Sequence, residues 1–209
     1  MLKQGTNDVV LPGIAVAFVG GEVVYHKLPS GYTGCEYVRG NADAYFETLL
    51  YLDSESEVVA DLQFEGAAGN VYGCFSGTNA NNNFSLYAGA PSTNGYVRYD
   101  GEMERAFQPV NGTRYTIIHN KNGFWVNGEQ KCTAFSASAF SCDAPFTVGS
   151  LAGSTSAKFK GRMYRMTVKK GGQTVLDLVP CKNSSNVYGM YDVVGRMFYT
   201  SAGTDFSGG

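Results

Sequence analysis

Three carboxylates have the spacing that a glycoside hydrolase would need. Asp100, Glu102 and Glu104 stand two residues apart, and residues i, i+2 and i+4 of a strand share one face. Retaining glycosidases use an acid and a nucleophile whose carboxyl groups lie about 5 to 5.5 Å apart. However, Gly101 weakens a strand at this point, and like charges in one row repel each other. The sequence therefore favours a solvated sheet edge and no catalytic residue, with a degenerate glycoside hydrolase as an alternative.

The histidines and cysteines show no catalytic or metal-binding pattern. His26 and His119 are far apart in the sequence and have no GxSxG partner motif, and His119 is expected to be solvated at a hairpin turn. The five cysteines include no CxxC pair and are odd in number. We expect them to be small, buried and reduced, with a bridge between Cys132 and Cys142 as the alternative.

Calcium is the one metal for which the sequence offers ligands. It prefers cages of loop carboxylates and carbonyls, and Asp43, Asp53, Glu55 and the Asn-rich stretch 79–83 lie in or near predicted loops. No EF-hand spacing is present. The prediction is therefore no cofactor and no metal, with calcium as an alternative.

Aromatic residues supply the candidate binding groups. If Phe124 and Val126 point into a core, Trp125 points outward on the same strand, where an indole can stack on a sugar ring or fill a partner's pocket. The alternative for Trp125 is a core position, and the same two interpretations apply to Tyr96 and Tyr99. The predicted glycan- or receptor-binding residues are Trp125, Tyr96, Tyr99 and Asn127.

The stretch from 161 to 181 is the clearest structural element. Its residues alternate with a period of two on both sides of Gly171-Gly172, which is typical of a β-hairpin with a two-residue turn. Pro180 has no N–H for a ladder, so pairing is expected to stop there. Similar short strands recur every 8–12 residues between turn signals, and no long amphipathic helix is visible.

The closing sequence VPCKNSSNVYGMYDVVGRMFYTSAGTDFSGG (179–209), together with LPSGYTGCEYV (28–38), resembles the concanavalin A-like (LamG-type) lectin domains of bacteriophage tail and other virion proteins. The resemblance covers residues 28–209. It implies an all-β fold, a two-sheet antiparallel jelly-roll β-sandwich. Sandwich glycoside hydrolases of this class order their carboxylates Glu-x-Asp-x-Glu, whereas Asp100 comes first here.

The segment 1–27 is predicted to be a separate N-terminal β-hairpin arm ahead of the sandwich domain at 28–209. Two alternating stretches flank Gly20-Gly21, a two-residue turn signal. The apolar positions of this anchoring arm are Ile14, Val16, Phe18, Val23 and Tyr25. Because an isolated hairpin is marginal in water, it must pack on its own sandwich or pair with other proteins.

Charge and hydropathy narrow the range of partners. The net charge of −2 gives no cationic field for nucleic acid, and the longest apolar run, 14–19, is far short of the about 20 residues of a membrane span. No secretion signal is recognisable, which predicts synthesis in a host cytoplasm.

The resemblance to virion lectin domains implies location in a virion. It implies the role of a virion structural protein, a tail-tip, fibre or capsid-surface decoration, that binds other virion proteins through 1–27 and a host surface glycan or receptor. A homotrimer is expected by analogy with fibres, and a bacterial surface carbohydrate-binding module is the alternative.

Overall fold

Short strands joined by tight turns make up the described chain. A computed structural model describes residues 14–19, 22–41, 43–66, 69–76, 79–89, 95–136, 139–152 and 158–209. The strands in these ranges are β1 (Ile14–Val19), β2 (Glu22–Lys27), β3 (Tyr32–Gly34), β4 (Val38–Asn41), β5 (Phe46–Glu47), β6 (Ser56–Phe64), β7 (Gly69–Ser76), β8 (Asn79–Ala88), β9 (Gly95–Tyr99), β10 (Glu102–Phe107), β11 (Arg114–Asn120), β12 (Gly123–Val126), β13 (Glu129–Cys132), β14 (Thr147–Val148), β15 (Lys160–Lys170), β16 (Gln173–Asn183), β17 (Tyr188–Asp192), β18 (Met197–Tyr199) and β19 (Ser207–Gly208). Within these ranges, no helix is long and apolar enough to cross a membrane.

Two antiparallel sheets face each other. The smaller sheet has the order β10-β9-β8-β7-β14-β5. The larger sheet has the order β13-β12-β11-β6-β15-β16-β17-β18, and β3, β4 and β19 pair beside this path. The predicted all-β sandwich of two antiparallel sheets is confirmed.

Alternation along β6 shows how the sequence builds the core. Every second residue is buried, with Val58, Ala60, Leu62 and Phe64 pointing inward. This two-residue period places the intervening residues on the outer face of the larger sheet. The core therefore lies between the sheets, and the outward residues of β6 are partly exposed.

The predicted hairpin at 161–181 is formed by β15 and β16. Gly171 and Gly172 adopt φ of 54° and 80° between the strands, which is the left-handed backbone that a type I′ turn requires and glycine adopts without a Cβ clash. This part of the prediction is confirmed.

The prediction that pairing stops at Pro180 is wrong. β16 continues to Asn183, and Pro180 lies opposite Met190 of β17. The ladder from β15 ends at Leu178, and the ladder from β3 begins at Cys181. Pro180 therefore lies between the end of the β15 ladder and the start of the β3 ladder, on the same side of β16. No backbone N–H donor is needed at this position. Its carbonyl still accepts a hydrogen bond from the Cys35 N–H at 3.1 Å.

His119 is not solvated at a turn, as the sequence predicted, but is fully buried in β11. The turn between β11 and β12 is formed by residues 121–122, so His119 lies opposite Phe124 inside the ladder. Its ring lies 4.1 Å from the Phe84 ring, and its Nδ1 lies 3.3 Å from the Tyr72 hydroxyl. The residue belongs to the core because it continues the inward-facing row that includes Ile117.

The N-terminal hairpin forms a two-stranded sheet of its own. β1 and β2 pair with Val19 opposite Glu22, and Gly20-Gly21, the predicted turn, lies outside the described residues. The predicted anchoring positions 14, 16, 18, 23 and 25 fall within the two strands. The backbone of β1 lies beside β3 and β16, so one strand of the hairpin borders the sandwich domain.

Candidate functional site

Trp125 lies on the outer face of the larger sheet. Its neighbours Phe124 and Val126 are buried, whereas Trp125 is half-buried, as the alternation in the sequence predicted. Trp125 pairs with Ile118 on one side and with exposed Gln130 on the other. The indole therefore sits near the edge of an open sheet face.

A row of mainly apolar side chains continues from Trp125 across the sheet. Ile118 pairs with Val59, which pairs in turn with Thr167. Paired residues share one face of a sheet, so these four side chains form one row, here called the Trp125 row. Each is half-buried. With strands about 4.8 Å apart, the row is about 14 Å long.

A polar cluster borders the Trp125 row on one side. The Oε1 of Glu57 accepts a hydrogen bond from Lys169 Nζ at 3.0 Å, and its Oε2 accepts one from Asn120 Nδ2 at 2.7 Å. Glu57 is two residues from Val59 on the same strand face. Glu57, Asn120 and Lys169 are here called the Glu57 cluster. They line a cleft of about 270 Å³ together with Ser56 and the turns at 54–55, 121–122 and 171–172.

The Glu57 cluster keeps hydrogen-bonding capacity after these contacts. Each carboxylate oxygen has further lone pairs, and an ammonium has three N–H donors. Lys169 and Glu57 are both partly exposed, at 40% and 28% of their side chains. The cluster is thus held in place by its own contacts and can still bind the hydroxyl groups of a ligand.

Charged pairs border the other side of the Trp125 row. Arg114 donates two hydrogen bonds of 2.7 Å to Asp61, and its Cζ lies 3.6 Å from the centroid of the Tyr164 ring. Arg165 makes a similar bidentate pair with Asp177, at 2.9 and 2.8 Å. Bidentate pairs fix both partners, so this border is a rigid polar wall.

Asn127 follows Trp125 in the turn between β12 and β13. Its φ is 51° and that of Gly128 is 81°, the values of the predicted type I′ turn. The Oδ1 of Asn127 accepts a hydrogen bond from the Thr116 N–H at 2.8 Å, and the residue is exposed. The structure therefore brings Trp125 and Asn127 together, two residues apart on one hairpin.

The other two predicted binding residues lie elsewhere. Tyr96 is half-buried and stacks on Tyr87 of the smaller sheet with ring centroids 4.7 Å apart, and Arg98 lies over its ring. Tyr99 is 1% exposed and donates a hydrogen bond to the Ser54 carbonyl at 2.7 Å. Tyr99 therefore occupies a core position, which is one of the two interpretations that the sequence allowed. Neither tyrosine belongs to the Trp125 row.

The three carboxylates do not form a single row. Asp100 has a φ of 47° in the turn before β10, whereas Glu102 and Glu104 lie in that strand at the edge of the smaller sheet. Glu102 accepts hydrogen bonds from the backbone N–H and hydroxyl of Ser136. Partial burial, and then repulsion from Glu102, raise the pKa of Asp100. The arrangement agrees with a solvated edge.

Two of the predicted calcium ligands, Asp53 and Glu55, form ion pairs with lysines. Asp53 forms an ion pair with Lys170 at 2.6 Å and accepts a hydrogen bond from Ser56, and Glu55 pairs with Lys121 at 3.2 Å. Among the residues that the structure describes, no three His, Cys, Asp or Glu side chains are grouped to hold a metal ion. The stretch 79–83, predicted as a loop, begins β8 instead.

Sequence reasoning missed the Glu57 cluster. Alternation along β6 places Glu57 on the same face as Val59, so the face that Glu57 occupies can be predicted from the local sequence. Its partner Lys169 cannot, because the two residues are 112 positions apart and meet only through strand pairing. No local pattern predicts such a pairing, so the cluster is visible only in the folded chain.

Comparison with known proteins found a similar fold among solved structures. No family model and no curated protein matches the chain. A solved structure of an inferred carbohydrate-binding protein from Bacteroides ovatus is similar, with a TM-score of 0.58 at 14% sequence identity. The similarity covers 90% of this chain and 66% of that one, so this chain spans about two thirds of its neighbour. At this identity the likeness supports the sandwich fold.

Proposed function

We propose that the chain is a non-catalytic carbohydrate-binding protein that holds a saccharide on the outer face of the larger sheet. The observation that carries the proposal is Trp125, half-buried on the outer face of the larger sheet at one end of the Trp125 row. The Bacteroides ovatus neighbour, itself an inferred carbohydrate-binding protein, supports the same class of ligand.

The chemistry of the face suits a saccharide. The C–H face of a pyranose ring is apolar and stacks on an aromatic ring, while its hydroxyls need hydrogen-bonding partners when they leave water. The Trp125 row offers the first surface, and Glu57, Asn120 and Lys169 offer acceptors and donors next to it. A few polar groups beside an apolar surface are the usual composition of a binding site.

Binding without hydrolysis is supported by the position of the carboxylates. A retaining or inverting glycosidase needs two carboxyl groups facing one bond. Asp100 lies in a turn, and Glu102 is engaged with Ser136. The predicted row of three carboxylates is therefore not formed, which counts against the degenerate glycoside hydrolase.

The proposed setting is the surface of a particle or a cell. Attachment to other virion proteins through residues 1–27, trimer formation and recognition of a host surface glycan or receptor rest on the sequence resemblance. The bacterial surface carbohydrate-binding module shares the same binding face and fits the Bacteroides ovatus neighbour. Both settings require the same saccharide-binding surface.

A glycan array with matched variants tests the binding face. We expect Trp125→Ala to lower the affinity for the recognised glycan at least about tenfold, or about 1.4 kcal/mol, because the stacking platform is removed. Tyr96→Ala is the control, since it removes a half-buried aromatic from the opposite sheet. Unchanged binding by Trp125→Ala, with folding verified by circular dichroism, would refute the proposal.

A further inference from the structure

Two cysteines meet in the core between distant parts of the chain. The sulfurs of Cys74 and Cys142 lie 2.7 Å apart, and both residues are buried. This distance is well inside the contact distance of two sulfur atoms that are not bonded, and a bonded pair lies at about 2.05 Å. The sequence predicted reduced cysteines, with a bridge between Cys132 and Cys142 as the alternative. In the structure the sulfur next to that of Cys142 belongs to Cys74.

The backbone on both sides holds the two thiols in this position. Cys74 lies in β7, paired with Phe84 of β8. The Cys142 N–H donates a hydrogen bond of 2.8 Å to the Leu52 carbonyl, and Ser141 forms a β-bridge with Asp53. Because both backbones are held by these contacts, the distance between the two residues is fixed, and the sulfurs can separate only by rotation of a side chain about its Cα–Cβ bond.

We propose that Cys74 and Cys142 form a disulfide bond that ties β7 to the segment 139–146. Its formation removes two protons and two electrons from the two thiols, and a small disulfide such as oxidised glutathione accepts them and becomes two thiols. Each step is thiol–disulfide exchange through a mixed disulfide. Because burial raises the pKa of the Cys74 thiol well above its ordinary value, the reaction takes place during folding, before the pair is covered.

The bond would close a loop that carries β8 to β13, and with them Trp125. A crosslink between residues 68 positions apart restricts the unfolded chain strongly. It also fixes the segment that contributes Phe140 and Cys142 to the core beside Tyr99. The inference does not depend on carbohydrate binding, since the crosslink is a property of the core.

The test is a count and a map of the thiols in the whole protein. The chain is refolded with oxidised and reduced glutathione, denatured, and treated with N-ethylmaleimide. We expect three adducts out of five cysteines, five adducts after reduction, and a proteolytic fragment that links Cys74 to Cys142. Cys132→Ala, the control, is expected to keep the linked fragment and to show two adducts.

Stability gives a second readout. The oxidised protein is expected to melt about 5 to 15 °C above the reduced protein, and Cys142→Ala is expected to melt at one temperature with or without reductant. Five adducts without reduction, or a linked fragment that joins any other pair, would overturn the proposal.

Discussion

At the scale of single residues, His119 gives the molecule a pH-dependent stability. Burial lowers the pKa of His119 to about 3, whereas an exposed histidine titrates near 6.5. Below about pH 6.5 the unfolded chain therefore binds a proton that the folded chain does not bind. The stability of the folded chain is therefore not reduced by His119 above about pH 6.5. As the pH is lowered from there towards about 3, the free energy of unfolding falls by about 1.4 kcal/mol per pH unit.

Urea unfolding at pH 7 and pH 5 measures this effect. The native chain is expected to lose about 2 kcal/mol more of its free energy of unfolding between these pH values than His119→Gln. Carboxylates titrate in both proteins, so the difference isolates the histidine. Equal losses in the two proteins would show that His119 is protonated, or exposed, in the folded state.

The same residue shows where single-residue prediction failed. His119 was expected in a turn because Asn120 and Gly123 follow it. The turn is two residues long, so the inward alternation of Ile117 extends to His119. One shift of register decides which face a side chain occupies. The outward position of Trp125 was one of the two interpretations that the sequence left open, and it follows from the local alternation with Phe124 and Val126.

At the scale of elements, turn chemistry was the reliable signal. Gly171-Gly172 and Asn127-Gly128 both form the turns that the sequence predicted. Pairing beyond the hairpins was not predictable, since β6 pairs with β15 about a hundred residues later. The prediction that the strand ends at Pro180 failed for the same reason. On one side β16 pairs first with β15 and then with β3, and this long-range pairing cannot be predicted from the local sequence.

The hairpin of β1 and β2 carries the prediction about assembly. A hairpin edge can pair with another chain, and the analogy with fibre proteins implies three copies. We therefore propose that the full chain is a trimer and that a chain lacking residues 1–27 is a monomer. Size-exclusion chromatography with light scattering measures both masses. The shortened chain should keep its circular dichroism spectrum and its glycan affinity, and a monomeric full chain would contradict the anchoring role.

At the scale of the whole molecule, the sandwich separates residues that the sequence grouped together. Trp125 and Asn127 lie on the larger sheet, Tyr96 on the smaller sheet, and Tyr99 in the core between them. Composition and turn spacing predicted short strands joined by turns, and the two-sheet sandwich was implied by the resemblance to concanavalin A-like domains. The composition of the site depends on which sheet each strand joins, and that is set by long-range pairing.

The fluorescence of Trp125 is the most direct test of the binding face, because it is the only tryptophan in the chain. The native protein is titrated with the glycan that binds it best, and binding is measured in parallel by calorimetry. We predict a saturable shift in tryptophan emission with the same dissociation constant as the calorimetric one, in both the native protein and Tyr96→Ala. Calorimetric binding with no change in the emission of Trp125 would contradict the account.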